Sequence, residues 1–72
     1  MNNEIVLLQP VALTEDLPEQ HLHCDRVGTV VEVLAEGTFL VEFSDDRGRT
    51  EALLPLDARQ LRPLHHQQTV IS

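Results

Sequence analysis

The 72-residue chain is long enough for one small domain, and it carries a formal net charge of −7. Nucleic acid binding requires several positive groups gathered on one face, so an acidic chain whose only strong bases are five Arg residues is not expected to bind DNA or RNA. Its apolar runs are too short to span a bilayer, and its amino-terminal residues lack the positive charge of a secretory signal. We therefore expect a soluble, cytoplasmic protein without a membrane partner.

The negative charge is concentrated in the first half, where residues 1–36 contain seven acidic residues and one Arg. Such an imbalance is typical of a protein that needs solubility, or of one that attracts a basic protein partner. Cys24 is the single cysteine, which excludes an internal disulfide and favours a reducing compartment.

Short apolar runs rich in β-branched residues, separated by turn sequences, predict antiparallel strands rather than helices. Pro10 should begin a strand or lie on an edge, because proline cannot donate to a sheet. Pro18 interrupts the acidic segment 14–19, which we expect to be a long loop with at most one helical turn. Asp57 is expected to cap a single turn that ends at Gln60. The predicted strands are 11–13, 27–34, 39–43, 50–56 and 61–64.

This pattern predicts an all-β fold, a small SH3-like barrel of about five strands with one short helical turn. Residues 5–64 are expected to form the single domain, with 1–4 and 65–72 as flexible tails. The consecutive Val30 and Val31 break the strand alternation, and Gly28 within a strand indicates a bulge or a close backbone approach. The predicted core contains the positions where strand period and apolar character agree: Val11, Leu13, Val30, Val33, Phe39, Val41, Phe43, Leu54 and Leu61.

Four segments support a family resemblance: Leu17-Pro18, the VGTVVEV run at 27–33, VEF at 41–43 and ALL at 52–54. With them, the run from Val11 to Leu64 resembles a family of small bacterial proteins called domain of unknown function 4926. The 28–33 pattern is also similar to the wider SH3-like group that includes ribosomal KOW modules and accessory subunits of electron-transfer enzymes. These resemblances imply a binding or accessory domain and no catalytic residues, and the basic loops with which KOW modules grip RNA are absent.

Imidazole and thiol groups cluster at two places in the sequence, and together they form a set that suits transition metals. No second cysteine or spaced motif supports a metal site, so solvated histidines are the simpler interpretation, and we predict no cofactor. Cys24 lacks an identifiable orienting acid, which favours a buried or half-buried structural thiol over a nucleophile and argues against an enzyme. The residues concerned are His21, His23, Cys24, His65 and His66.

Charged residues in the segment 45–49 are best explained as a hairpin turn, since the segment lacks the spaced oxygen ligands of a calcium loop. Arg26, Arg47 and Arg49 suggest an anion clamp. Neighbouring carboxylates should neutralise it through local ion pairs, and those carboxylates belong to Asp25, Asp45 and Asp46.

A groove for proline-rich peptides needs aromatic rings, and this chain has only two Phe and neither Trp nor Tyr, so no such groove is expected. Two other surfaces are candidates for protein binding. The first is the acidic segment, with Leu17 as an apolar anchor and three carboxylates that steer a partner, on Glu15, Asp16 and Glu19. The alternative is that Leu17 closes the barrel and the acids confer solubility. The second is the outer face of the fourth strand, with Leu53 and Pro55. Residues 5–8 or another chain should cover that face, because both faces of the strand are apolar.

The leading hypothesis is a non-enzymatic, acidic protein-binding or accessory module that docks a protein encoded beside it. One alternative is an immunity or antitoxin protein that inhibits a neighbouring basic toxin, since charge complementarity increases both association rate and specificity. A second alternative is a metal-dependent regulator that uses the His/Cys cluster. A homodimer is compatible with each of these hypotheses.

Overall fold

The computed structural model describes residues 5–64, so both predicted tails lie outside the described residues. The strands are β1 Pro10–Leu13, β2 Val27–Ala35, β3 Thr38–Ser44, β4 Thr50–Asp57 and β5 Leu61–Pro63. They form one antiparallel sheet with strand order β4-β3-β2-β1-β5. Short 3-10 turns occupy Pro18–Gln20, between β1 and β2, and Ala58–Gln60, between β4 and β5. The predicted small all-β fold of about five strands is confirmed, with two 3-10 turns in place of one helical turn.

A β-bulge in β2 explains why strand alternation fails there. Val30 pairs with Val41, whereas Glu32 pairs with Leu40, so Val31 is the extra residue of the bulge. Gly28 is not part of this bulge. Instead, its backbone closely approaches the neighbouring strand β3, which is the other role that the sequence predicted for it. A Cβ atom at this position would lie 2.8 Å from the ring of Phe43, which leaves no room for a side chain.

Most of the predicted core residues are buried in one cluster, and Leu54 packs against it. Phe39, Val41 and Phe43 alternate inward along β3 as their spacing predicts. Leu22, from the loop before β2, and Leu56 are buried as well. The buried cluster consists of Val11, Leu13, Leu22, Val30, Phe39, Val41, Phe43, Leu56 and Leu61.

The prediction that Val33 belongs to the core is wrong. Its side chain is 50% exposed, although its partner Phe39 across the hairpin is only 7% exposed. The reason is the short length of β1, which pairs only with residues 27–29 of β2. The distal part of the β2–β3 hairpin therefore extends beyond the region that β1 covers.

The segment before β1 lies along β2 and not over β4. The backbone N–H of Leu8 donates to the carbonyl of Val30 (2.7 Å), and Ile5 packs against the core. Leu53 is 50% exposed and Pro55 is also exposed. Residues 5–8 therefore do not cover the outer face of β4, and that one of the two predicted alternatives is wrong.

Candidate functional site

Hydrogen bonds hold the acidic loop, residues 14–19, in one conformation. Asp16 accepts a hydrogen bond at Oδ1 from the backbone N–H of Cys24 (2.8 Å). The backbone N–H of Leu17 donates to the carbonyl of Leu22 (2.8 Å), and the reverse bond measures 3.2 Å. Leu17 is half-buried against the core, so only part of its side chain is available to a partner. The loop is therefore pre-organised, which lowers the entropy lost on binding.

Gln60 connects the acidic loop to the end of β4. Its side-chain N–H donates to Glu15 Oε2 (3.1 Å), and its Oε1 accepts from the backbone N–H of Asp57 (2.9 Å). Its carbonyl accepts from the backbone N–H of Thr14 (2.9 Å). These three bonds place the loop beside β4, although 45 positions separate Glu15 from Gln60 in the sequence.

A shallow groove of about 330 Å³ lies between the first 3-10 turn and β4. We call it the loop–β4 groove. It joins the two surfaces that the sequence suggested separately, because Leu17 lies on one side and Pro55 on the other. Leu53 lies two residues before Pro55 on the exposed face of the same strand. The groove is mainly aliphatic, and its lining residues are Leu17, Gln20, Leu54, Pro55, Leu56 and Gln60.

The carboxylates of the acidic loop form no ion pair with any residue in the range 5–64. Within that range the ion pairs involve other carboxylates, so the negative charge of Glu15, Asp16 and Glu19 faces solvent. Unneutralised charge of one sign raises the local concentration of opposite charge. The ion pairs are Arg26–Glu51, Arg49–Asp45 (3.2 Å), Arg59–Asp57 (3.6 Å) and Arg62–Asp25 (3.2 Å).

The prediction that Arg26 is neutralised by its sequence neighbour Asp25 is wrong, because each of the two forms an ion pair with another residue. Arg26 pairs with Glu51 on β4, and Asp25 pairs with Arg62 on β5, rather than with its neighbour in sequence. The partners are far apart in the sequence and meet only in the folded sheet, so these ion pairs cannot be predicted from neighbouring positions. Arg49 does pair locally, with Asp45, as predicted.

The β3–β4 hairpin confirms turn chemistry at 45–49. Asp45 accepts at Oδ1 from the backbone N–H groups of Arg49 and Arg47 (both 2.9 Å), and Gly48 has a φ of 80°. These bonds, above all that from Arg49, lower the pKa of the Asp45 carboxyl below its usual value. The ionised carboxylate of Asp45 therefore stabilises the hairpin turn.

The histidine and cysteine residues of the first cluster are all exposed. No group of three or more His, Cys, Asp or Glu side chains that could hold a metal ion occurs among the described residues, and His65 and His66 lie outside them. The expected burial of Cys24 is wrong. The residue lies exposed in the turn before β2, and its thiol donates to the carbonyl of Leu13 (3.7 Å) in a partly buried contact.

The sequence model of a family described as "Domain of unknown function (DUF4926)" matches residues 7–63. The chain belongs to this family. The matched range includes all five strands, the acidic loop and the loop–β4 groove of this DUF4926 domain. No curated protein and no solved structure matches the chain. Within residues 5–64, the DUF4926 domain has no helix with the length and apolar composition needed to cross a membrane.

Proposed function

We propose that this DUF4926 domain is a non-enzymatic binding module whose loop–β4 groove docks a basic segment of a partner protein. The observation that carries the proposal is the position of the acidic loop. Its carboxylates lie beside an aliphatic groove, on a backbone held by Asp16 and Gln60. Charge and apolar surface thus occur together on one face.

The two parts of this face have different roles in binding. Exposed carboxylates such as those of Glu15 and Glu19 accelerate the encounter with a positively charged partner, and salt weakens this effect. Aliphatic surface from Leu54, Pro55 and Leu17 anchors the bound partner and controls how slowly it dissociates.

The charge favours a different protein over a second copy of this chain. Two copies that met through this face would bring together two sets of like charges from Glu15, Asp16 and Glu19, which opposes association. A proline-rich ligand is also a poor fit, because both phenylalanines are buried in the core and the groove is lined by aliphatic and amide side chains.

The same surface suits an immunity or antitoxin protein, which is the second candidate. An acidic inhibitor that covers the basic cleft of a toxin needs a fixed array of carboxylates, and Asp16 and Gln60 fix this loop. The two candidates use the same residues and differ only in the activity of the partner. The third hypothesis, a metal-dependent regulator, gains no support from the described part of the chain.

Site-specific photo-crosslinking in the native host tests the proposal. A photoreactive amino acid replaces Gln20 in the groove, Leu53 on the outer face of β4, or Arg47 in the distant β3–β4 hairpin as the control. We expect the same basic protein to be crosslinked from Gln20 and from Leu53, with several-fold lower yield from Arg47. Equal yields from all three positions would indicate nonspecific contact and would contradict the proposal.

A further inference from the structure

The hydrogen bonds of Val30 fix the direction of backbone groups across the sheet. Its carbonyl accepts from Leu8 (2.7 Å) and its N–H donates to the carbonyl of Gln9 (3.1 Å), so both groups point away from β3. Val30 is paired with Val41. In antiparallel strands, residues alternate between bonding one neighbour and bonding the other. The backbone groups of Val41 therefore point toward β4.

This alternation continues into β4, which is an edge strand of the sheet. Leu54 is the partner of Val41, so its backbone groups bond β3. The pairing shifts register at Glu51, and beyond it the residues that alternate with Leu54 are Leu53, Pro55 and Asp57. Their backbone groups therefore point toward the free edge of the sheet. An exposed edge of this kind is a template for an added strand.

Two of these three positions offer no N–H to an incoming strand. Pro55 has no N–H. The N–H of Asp57 donates to Gln60 Oε1 (2.9 Å), so it is already satisfied within the domain. Leu53 is thus left as the one donor among the three. A strand added along β4 would lose the regular ladder that makes strand addition favourable.

The opposite edge has the same feature. The N–H of Leu64 donates to the carbonyl of Pro10 (3.0 Å), which directs the backbone of Leu64 toward β1. By alternation, Pro63 faces outward from β5. Both outer strands therefore have a proline at an outward-facing position, and β5 has only three residues.

We infer that Pro55 and the side chain of Gln60 close the edge of β4 to strand addition, and that this edge, once opened, pairs with β4 of a second copy. β4 has eight residues, and an antiparallel pair of identical strands satisfies twofold symmetry. Leu53, which is 50% exposed, would gain apolar contact in such a pair. It also follows that a partner in the loop–β4 groove is recognised through side chains rather than by strand addition.

Sedimentation equilibrium of Pro55→Val/Gln60→Ala tests this inference, in 0.5 M NaCl so that repulsion between acidic copies is screened. We expect the weight-average mass to approach twice the monomer value as concentration rises. The wild type and a control variant, Pro18→Val, which removes a proline that belongs to neither edge strand, should remain monomeric. Circular dichroism verifies that each variant is folded.

Amide hydrogen exchange identifies the surface used. Edge pairing should slow the exchange of the Leu53 amide at least tenfold in the associated double variant. A folded double variant that stays monomeric would overturn the inference. So would a dimer in which the Leu53 amide exchanges as in the wild type, and so would a wild-type protein that associates as strongly as the variant.

Discussion

Replacing Phe43 with alanine should lower the free energy of unfolding by about 3–5 kcal/mol. The ring is fully buried, at 0% exposure, and it packs against the strand that contains Gly28. Native domains have a total stability of about 5–15 kcal/mol, so this loss is a large fraction for a domain of this size. Urea unfolding followed by circular dichroism measures the change.

The solvent-facing Leu53→Ala provides the control for this measurement. It removes a similar kind of apolar side chain from the same sheet, but at a position that is 50% exposed. Its effect should be about 1 kcal/mol or less. Equal effects of the two substitutions would mean that Phe43 does not lie at the centre of the core.

Gly28→Ala should destabilise the domain by about 3 kcal/mol, at the upper end of the usual cost of overpacking. The added Cβ would lie 2.8 Å from two ring atoms of Phe43 and 2.9 Å from the carbonyl oxygen of Glu42. The ring is held by the core and the carbonyl belongs to a paired strand, so neither can move away easily. Thermal and urea unfolding both report the loss.

Gly37→Ala is the matched control, because it adds the same methyl group in open space. No atom outside the neighbouring residues lies within 4 Å of its added Cβ, and its cost arises from a φ of 80°, which corresponds to about 1–2 kcal/mol. The additional effect of Gly28→Ala should also shrink in a Phe43→Ala background, where the ring is gone. If Gly28→Ala cost less than Gly37→Ala, the close approach would be refuted.

The strands could be predicted from the sequence because local patterns determine them. Phe39, Val41 and Phe43 alternate, and Gly37 and Gly48 mark the two hairpins. Val33 has the same apolar character, but its burial depends on how far β1 extends beside β2, and that length is a tertiary property. Leu22 lies in an irregular loop, where no period indicates which side chain turns inward.

The candidate site was only partly predictable. The acidic loop and the outer face of β4 stand out in the sequence by charge and by apolar character. Their proximity does not, because it depends on Gln60, an ordinary polar residue that bonds both Glu15 and Asp57. The signal in the sequence is the capped turn from Asp57 to Gln60, which predicts that Gln60 lies close to the end of β4.

The association rate with the crosslinked partner tests the central claim most directly. The loop variant Glu15→Gln/Glu19→Lys leaves Asp16 in place, because Asp16 holds the loop by its bond to Cys24. The amide oxygen introduced at position 15 can still accept the hydrogen bond from Gln60 that Glu15 accepts in the wild type. The control variant Glu32→Gln/Glu36→Lys has the same net charge, and its exposed substitutions lie on the β2–β3 hairpin. Matching melting temperatures would show that both variants keep the fold.

At low ionic strength, the loop variant should associate with the partner about tenfold more slowly than the wild type, and the control variant much less so. The difference should diminish as salt is raised. Equal reductions in the two variants would mean that only net charge matters. That result, or an unchanged rate in the loop variant, would contradict a binding role for the acidic loop.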